Sequence, residues 1–334
     1  MPEAYTVIHG FSVGSSLVGF DYKKMNPAKS KNITIIGGGL WGTTLANLAL
    51  INNHRVSLWS RRSHHSLESS LNQSEVIISA VAIAGVRPVI EQLKNIVIPN
   101  SVVIVTATKG LDPLTTYTPS QIWQTAFPEK VIAVLSGPNL SKEIAQGLPA
   151  ATVVACQQLE AATMVQGIFA SENFRVYINN DPQGTELGGT LKNVMAIAAG
   201  VCDGLQLGTN AKAALLTRAL PEMMRVGACL GAQSETFFGL SGLGDLLATC
   251  ASPLSRNYQV GYKLALGKPL KQIMNEVEGT AEGVNTTEVL VVLANQYQIN
   301  LPITRQVYLL LQGKITPTQA VQALMERELK SEYD

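Results

Sequence analysis

Apolar positions fall into two regimes along this chain. Up to about residue 180 they form short dense runs, many of them β-branched: Ile33–Ile36, Val56–Trp59, Val76–Val81, Val102–Thr106, Val131–Leu135, Thr152–Ala155 and Phe174–Ile178. Each reads as a strand, while Leu40–Leu50 and Arg87–Leu93 read as helices between them. Strands that are apolar on both faces and alternate with helices predict a mostly parallel, doubly wound sheet covered on two sides. After Asn179-Asn180-Asp181-Pro182 the strand signals nearly vanish. Thr185–Ala199, Ala211–Cys229, Arg256–Leu266, Leu270–Glu276, Ala281–Gln296, Pro302–Leu311 and Pro317–Leu329 carry helical spacing or caps. The predicted fold class is therefore α/β, with residues 31–180 forming the sheet domain and 181–334 an all-helical C-terminal domain. Residues 1–30 carry scattered glycines and serines without a period, and read as a loose N-terminal extension rather than a secretory signal.

Composition narrows the function classes. The 334 residues are 46% hydrophobic and 15% charged, which excludes a disordered chain. Lys+Arg of 25 against Asp+Glu of 24 gives a net charge of +1, so neither nucleic acid nor an acidic membrane surface is an expected partner. No apolar run is long enough to span a bilayer. Cys156, Cys202, Cys229 and Cys250 are too scattered for a zinc ribbon, and only His64 and His65 among the four histidines are close. No metal site is predicted, a reducing cytoplasm is the expected compartment, and acid–base chemistry falls to Lys, Asp or Glu.

Gly37-Gly38-Gly39-Leu40-Trp41-Gly42 fits G-x-G-x-x-G, and it lies between a predicted strand and a predicted helix. In that context Gly37 permits a tight turn, Gly39 lets backbone amides approach a pyrophosphate, and Gly42 lets helix and strand pack closely. The first domain is thus predicted to be a Rossmann-like dinucleotide-binding fold. The second strand ends in Trp59-Ser60-Arg61-Arg62, without the acid that an NAD-selective site usually shows. Arg61 and Arg62 can clamp a 2′-phosphate, so NADP(H) is the expected cofactor, with NAD(H) second.

Ligands of doubly wound sheets gather at the carboxyl ends of strands. Lys109 stands at one such end, in Thr108-Lys109-Gly110, and Ser136-Gly137-Pro138-Asn139 at another. Lys192 lies in Glu186–Ala199, a helix otherwise of small and apolar residues apart from Glu186. A lysine there is expected to be buried, which lowers its pKa toward the range useful for proton transfer. Asp245 follows three glycines and can either pair with a lysine or cap a helix. Ser255-Arg256-Asn257 combines hydroxyl, guanidinium, carboxamide and a helix start, a set suited to phosphate.

Taken together and in order, Gly37–Gly42, Thr108-Lys109-Gly110, Ser136-Gly137-Pro138, Glu186–Asn193, Gly204–Arg218, Gly242–Asp245 with Thr249-Cys250, and Ser255-Arg256-Asn257 resemble the NAD(P)-dependent glycerol-3-phosphate dehydrogenase family of bacteria. The resemblance runs from about Asn32 to about Leu329. It implies interconversion of sn-glycerol 3-phosphate and dihydroxyacetone phosphate, which supplies glycerol phosphate for phospholipid synthesis. It further implies that Lys192 exchanges the proton at the C2 oxygen and that Lys109 touches both cofactor and substrate. Gly137, Asn139, Asp245, Ser255, Arg256 and Asn257 would line the substrate site, with Lys192, Lys109 and Asp245 as the catalytic group. Ser141, Arg256, Thr280 and Glu282 would contact the cofactor, with Leu40, Trp41 and Arg61 near its phosphates and ribose. A small phosphorylated substrate is the implied partner, and a homodimer is left open.

The chain departs from the family pattern at Leu40, where Ser is usual, at Asn139, for Ser or Thr, and at Thr280, for Val. Only thirteen residues separate Arg62 from Val76, where the family has a helix, a further strand and a long loop. Two rival readings remain: a 2-hydroxyacid or 6-phosphogluconate-type dehydrogenase, and a non-catalytic NADP(H) sensor.

Overall fold

Each of the seven apolar runs becomes a strand of one sheet. The structure is a computed structural model and describes residues 29–277, 279–329 and 331–332. The extension expected over residues 1–30 lies, apart from Lys29 and Ser30, outside the described residues. The strands are β1 (Asn32–Ile36), β2 (Arg55–Trp59), β3 (Val76–Ser79), β4 (Val103–Thr106), β5 (Val131–Ser136), β6 (Ala150–Ala155) and β7 (Phe174–Asn179). Their order across the sheet is β2-β1-β3-β4-β5-β6-β7. Every neighbouring pair is parallel except β5 with β6. Only the loop carrying the short helix α5 (Ser141–Ala145) joins that pair. Its helix is little more than one turn, too short to carry the chain back along the sheet to the start of a parallel strand.

Helices cover both faces, as the doubly apolar strands require. On one face, α1 (Leu40–Ile51) and α6 (Leu159–Phe169) pack on Ile33, Ile35, Val76, Ile78 and Val105. On the other, α3 (Ile83–Leu93) and α4 (Pro119–Ala126) pack on Ile36, Ile77 and Ile104. The helix expected at Arg87–Leu93 starts four residues earlier, at Ile83. The short stretch between Arg62 and Val76 forms a single turn, α2 (Leu67–Ser70), capped by Ser66, with Leu67 buried.

Beyond Asp181 the described residues form helices: α7 (Pro182–Gly204), α8 (Gly208–Cys229), α9 (Asp245–Ala251), α10 (Arg256–Ala265), α11 (Leu270–Glu276), α12 (Glu282–Tyr297), α13 (Pro302–Leu311) and α14 (Pro317–Met325). None of the described helices is long and apolar enough to cross a membrane. The chain turns into α7 through Asp181, whose Oδ1 accepts from Gly184 N at 2.8 Å. Its Oδ2 accepts from Gln233 N at 2.9 Å and Thr236 Oγ1 at 2.7 Å.

α7 is buried almost throughout and forms the axis of the helical half. It crosses α10 backbone against backbone. A Cβ on Gly200 would lie 2.1 Å from the Tyr258 carbonyl oxygen, and one on Gly261 1.9 Å from that of Ile197. α8 and α13 are joined differently. The buried Glu222 carboxylate accepts from Ile303 N and Thr304 N, each at 2.8 Å, and from Thr304 Oγ1 at 2.6 Å. Burial pushes this carboxyl up from its ordinary value, and the three donors pull it back.

Glu222→Ala leaves two buried amides without acceptors. The expected loss is about 2–4 kcal/mol, read as a lower urea midpoint by circular dichroism, with a smaller loss for E222Q.

Candidate active site

The glycine loop after β1 shows why Gly37 and Gly42 are needed. Gly37 has φ +125°, and a Cβ there would lie 2.7 Å from the Ala80 carbonyl oxygen. A Cβ on Gly42 would lie 1.8 Å from the Gly37 carbonyl oxygen. Gly39, by contrast, faces open space and offers no side-chain cap to α1. The first amides of α1 have no intrahelical acceptor and face an uncovered ledge. These features fit a dinucleotide pyrophosphate.

Beside the ledge, Leu40 is exposed and Trp41 half-buried. Gly38 lies against Ser60. The turn after β2 is tied by Ser63 N to the Ser60 carbonyl at 2.9 Å and by Ser60 N to Ser63 Oγ at 2.9 Å. It holds Arg61 and Arg62 exposed, and among the described residues neither meets a carboxylate.

Three charged groups converge next to the carboxyl ends of β4 and β5. Lys192 Nζ donates to Asp245 Oδ1 at 2.9 Å and to Thr249 Oγ1 at 2.5 Å. Lys109 Nζ donates to Asp245 Oδ2, and to the Gly137 carbonyl at 3.3 Å. One carboxylate therefore bridges two ammonium groups. Lys192 and Asp245 are buried, while Lys109 remains partly exposed. Burial brings the Lys192 ammonium down to about 8; Asp245 opposes that shift and Lys109 adds to it. The adjacent Cys250 thiol is pushed up by burial to about 12, so it stays neutral beside the lysine.

Glycines make this convergence possible. The residues before Asp245 form a π-helical turn, Leu240–Gly244, in which a Cβ on Gly242 would lie 2.1 Å from the Phe237 carbonyl oxygen. Such turns recur at functional sites. α7 presses on this turn at Gly188, where a Cβ would lie 2.7 Å from the Ser241 carbonyl oxygen. On the neighbouring Gly189 a Cβ would lie 2.2 Å from Ser136 Oγ. Thr190 accepts from Gly110 N at 3.0 Å, and Gly110 needs its φ of +123°.

The loop after β5 presents Gly137 at φ +151° and Asn139, whose Nδ2 donates to Thr152 Oγ1 at 3.0 Å. Asn139 Oδ1 and Ser136 Oγ are buried without protein partners. Ser141 starts α5 beyond that loop. On the helical side, Ser255 Oγ caps α10 by accepting from Tyr258 N at 3.2 Å. Arg256 is exposed and its guanidinium lies over Gly279, beside the exposed Thr280. Asn257 uses both ends of its amide internally: Nδ2 donates to Asn193 Oδ1 and Oδ1 accepts from Gly283 N, each at 2.9 Å. It ties α10 to α7 and α12.

Glu282 is a further convergence point. Its Oε1 accepts from Ile83 N at 3.4 Å, while Oε2 is buried without a protein partner above Gly110. Burial pushes it up to about 7, against the pull of Ile83 N, Arg256 and Lys109. An unpartnered buried carboxyl oxygen fits a hydroxyl or amide donor of a bound cofactor.

Two residues, named in the sequence strings, were given no role there. Thr249 holds Lys192 and stands one helical turn beyond Asp245, a spacing that could have found it. Glu186 is buried on α7 and accepts from Ser120 N at 2.9 Å and Ser120 Oγ at 2.5 Å, at the start of α4. Burial pushes it up to about 7.

A dinucleotide ledge facing a buried, carboxylate-held lysine defines an oxidoreductase of the nicotinamide-dependent class. The family model of the NAD-dependent glycerol-3-phosphate dehydrogenase C-terminus matches residues 181–322. That of the N-terminus matches residues 32–68 and 62–162. The chain belongs to this family. The N-terminal match breaks at the short stretch after β2. A protein of Trichormus variabilis named glycerol-3-phosphate dehydrogenase (NAD(P)+) is 62% identical over 302 residues, covering 90% of this chain and 98% of its own. One of Synechocystis with the same name is 63% identical over 302 residues, covering 90% and 95%. The crystal structure of glycerol-3-phosphate dehydrogenase from Coxiella burnetii superposes with a TM-score of 0.85 at 34% identity, covering 89% of this chain and 99% of that one.

Asp245→Asn leaves two ammonium groups around a neutral amide. The expected destabilisation is about 3–5 kcal/mol near pH 6. It shrinks toward pH 9. The Lys192 pKa is already depressed in the folded state, so raising the pH discharges the buried lysine before the unfolded one and favours folding. Urea titrations at the two pH values read this difference.

Proposed function

We propose that this chain interconverts sn-glycerol 3-phosphate and dihydroxyacetone phosphate using NADP(H) or NAD(H), supplying glycerol phosphate for phospholipid synthesis. The observation that carries the reading is Lys192 held by Asp245 and Thr249 beside Lys109, at the sheet edge that bears the glycine ledge. When bound, a nicotinamide dinucleotide would supply or accept the hydride at C2. The protein's own residues manage the proton, the phosphate and the exclusion of water.

In the reducing direction, the Lys192 ammonium donates a hydrogen bond to the carbonyl oxygen and then its proton to the developing alkoxide. In the oxidising direction, neutral Lys192 takes the hydroxyl proton. Asp245 orients both lysines, and Lys109 adds positive charge next to the oxygen. Arg256, at the start of α10, binds the phosphate with Ser255 and the backbone of the Gly137–Asn139 loop. Asn257 acts by fixing that helix start against α7 and α12. On the cofactor side, the α1 amides would hold the pyrophosphate, with Leu40 and Trp41 beside it. Arg61 and Arg62 would clamp the 2′-phosphate, and Ser141, Thr280 and Glu282 would contact the cofactor. The four free cysteines, three of them buried, suit a reducing cytoplasm.

Lys192→Ala is expected to lower kcat/KM by about 10²–10⁴ while dinucleotide affinity, measured by fluorescence titration, stays unchanged. Retained turnover removes Lys192 from its role. For the unmodified protein, kcat/KM for reduction should fall as pH rises through about 8, and that for oxidation should rise through the same value. Flat profiles in both directions would sink the assignment of Lys192 as proton donor. The double variant Arg61→Ala, Arg62→Ala should weaken NADPH by about tenfold or more and NADH far less. Equal losses for the two would refute the 2′-phosphate clamp.

A further inference from the structure

A second cavity, of about 360 Å³, lies between α7, α8, α13 and α14. Its walls are apolar: Ala198 and Val201 of α7, Ala214 and Leu215 of α8, Leu310 of α13 and Leu324 of α14. Its volume falls within the range of small-molecule sites. None of the residues assigned above to the reaction lines it.

The charged residues that line the cavity are all of one sign. Arg218, Arg225 and Arg327 border the cavity. Arg225 is fixed by Nε donating to the Asn300 carbonyl at 3.1 Å, and Arg218 by Nη1 donating to the Glu332 carbonyl at 2.7 Å. Among the described residues, no carboxylate comes within ion-pair distance of any of the three. Glu222 acts on Arg225 from nearby, but both of its oxygens are taken by Ile303 and Thr304. Burial lowers the Arg225 guanidinium from its ordinary value; Glu222 opposes this, and Arg218 and Arg327 lower it further. Three guanidinium groups thus crowd one another beside an apolar void, an arrangement that folding alone does not favour.

We infer that this cavity binds an anionic amphiphile, with an alkyl chain against the apolar walls and a carboxylate head on the arginines. The two halves of the site exclude simpler occupants. A sugar phosphate would leave the walls uncovered, and a neutral hydrocarbon would leave the arginines unanswered. A second copy of the chain, packed on this face about a two-fold axis, would bring six guanidinium groups together. A carboxylate accepts two parallel bonds from each guanidinium it meets, and the chain gains by leaving water. Because α7 supplies both the cavity wall and Lys192, the ligand would sit within three helical turns of the catalytic lysine.

The test is titration calorimetry of the full chain with laurate, kept below its micelle concentration. Saturable one-to-one binding is expected, with dodecanol and inorganic phosphate each weaker by about tenfold or more. Ala214→Trp fills the cavity from an exposed position of α8, and Arg218→Gln with Arg327→Gln removes two charges. Each change should weaken laurate by about tenfold or more. Circular dichroism checks the fold of both variants, and the arginine pair carries the test if Ala214→Trp does not fold. Equal affinity for laurate and dodecanol, unchanged laurate affinity in the arginine variant, or no saturable binding overturns the proposal. Binding seen only after truncation beyond Glu332 gives the cavity to the chain's own end. A dimer by sedimentation that Ala214→Trp abolishes and laurate leaves intact gives it to a second copy. Either result also overturns the proposal.

Discussion

One carboxylate serving two ammonium groups is the interaction around which this protein is built. An isolated ammonium out of water is so unfavourable that it gives up its proton, and a lysine that is always neutral can polarise nothing. Asp245 keeps Lys192 poised between the two states, and Lys109 keeps it from being held too firmly in the charged one. The proton transfer proposed for Lys192 needs that intermediate position, because it would give a proton in one direction and take it in the other.

The packing around the cluster follows from this demand. Asp245 and Lys192 meet only because α7 and the turn before α9 come to backbone distance, and glycines at 188 and 242 remove the side chains that would hold them apart. Gly200 and Gly261 do the same farther along α7. The helix is then tied to the sheet half by polar bonds, Thr190 to Gly110 and Glu186 to Ser120. Lys192 therefore sits on an element fixed from both halves, which is what holds it in register with the glycine ledge built by β1 and α1.

The local parts of this design were legible in the sequence. The glycine loop was readable because its spacing sits directly between an apolar run and a helical one. Lys192 was readable because a lone cation in an apolar helix has few structural explanations. Asp245 was legible only as an alternative between pairing and capping, since its partner lies 53 residues away and nothing local chooses between them. The double anchoring of Asn257 was not legible at all, because Asn193 and Gly283 are brought to it by packing. Strand direction was hidden too: β6 is as apolar as its parallel neighbours, and burial on both faces says nothing about which way a strand runs. The helices α4 and α6 escaped the reading, although α4 carries a legible start in Thr118-Pro119 and buries Ile122 and Trp123 on one side.

The passage from sheet to helix has one more consequence. Only Asn180 and Asp181 separate β7 from α7, and Asp181 is buried and bonded to three donors from two segments. There is no slack linker at the crossover for a protease to enter. The two halves are therefore joined by a short, hydrogen-bonded crossover rather than by a free tether.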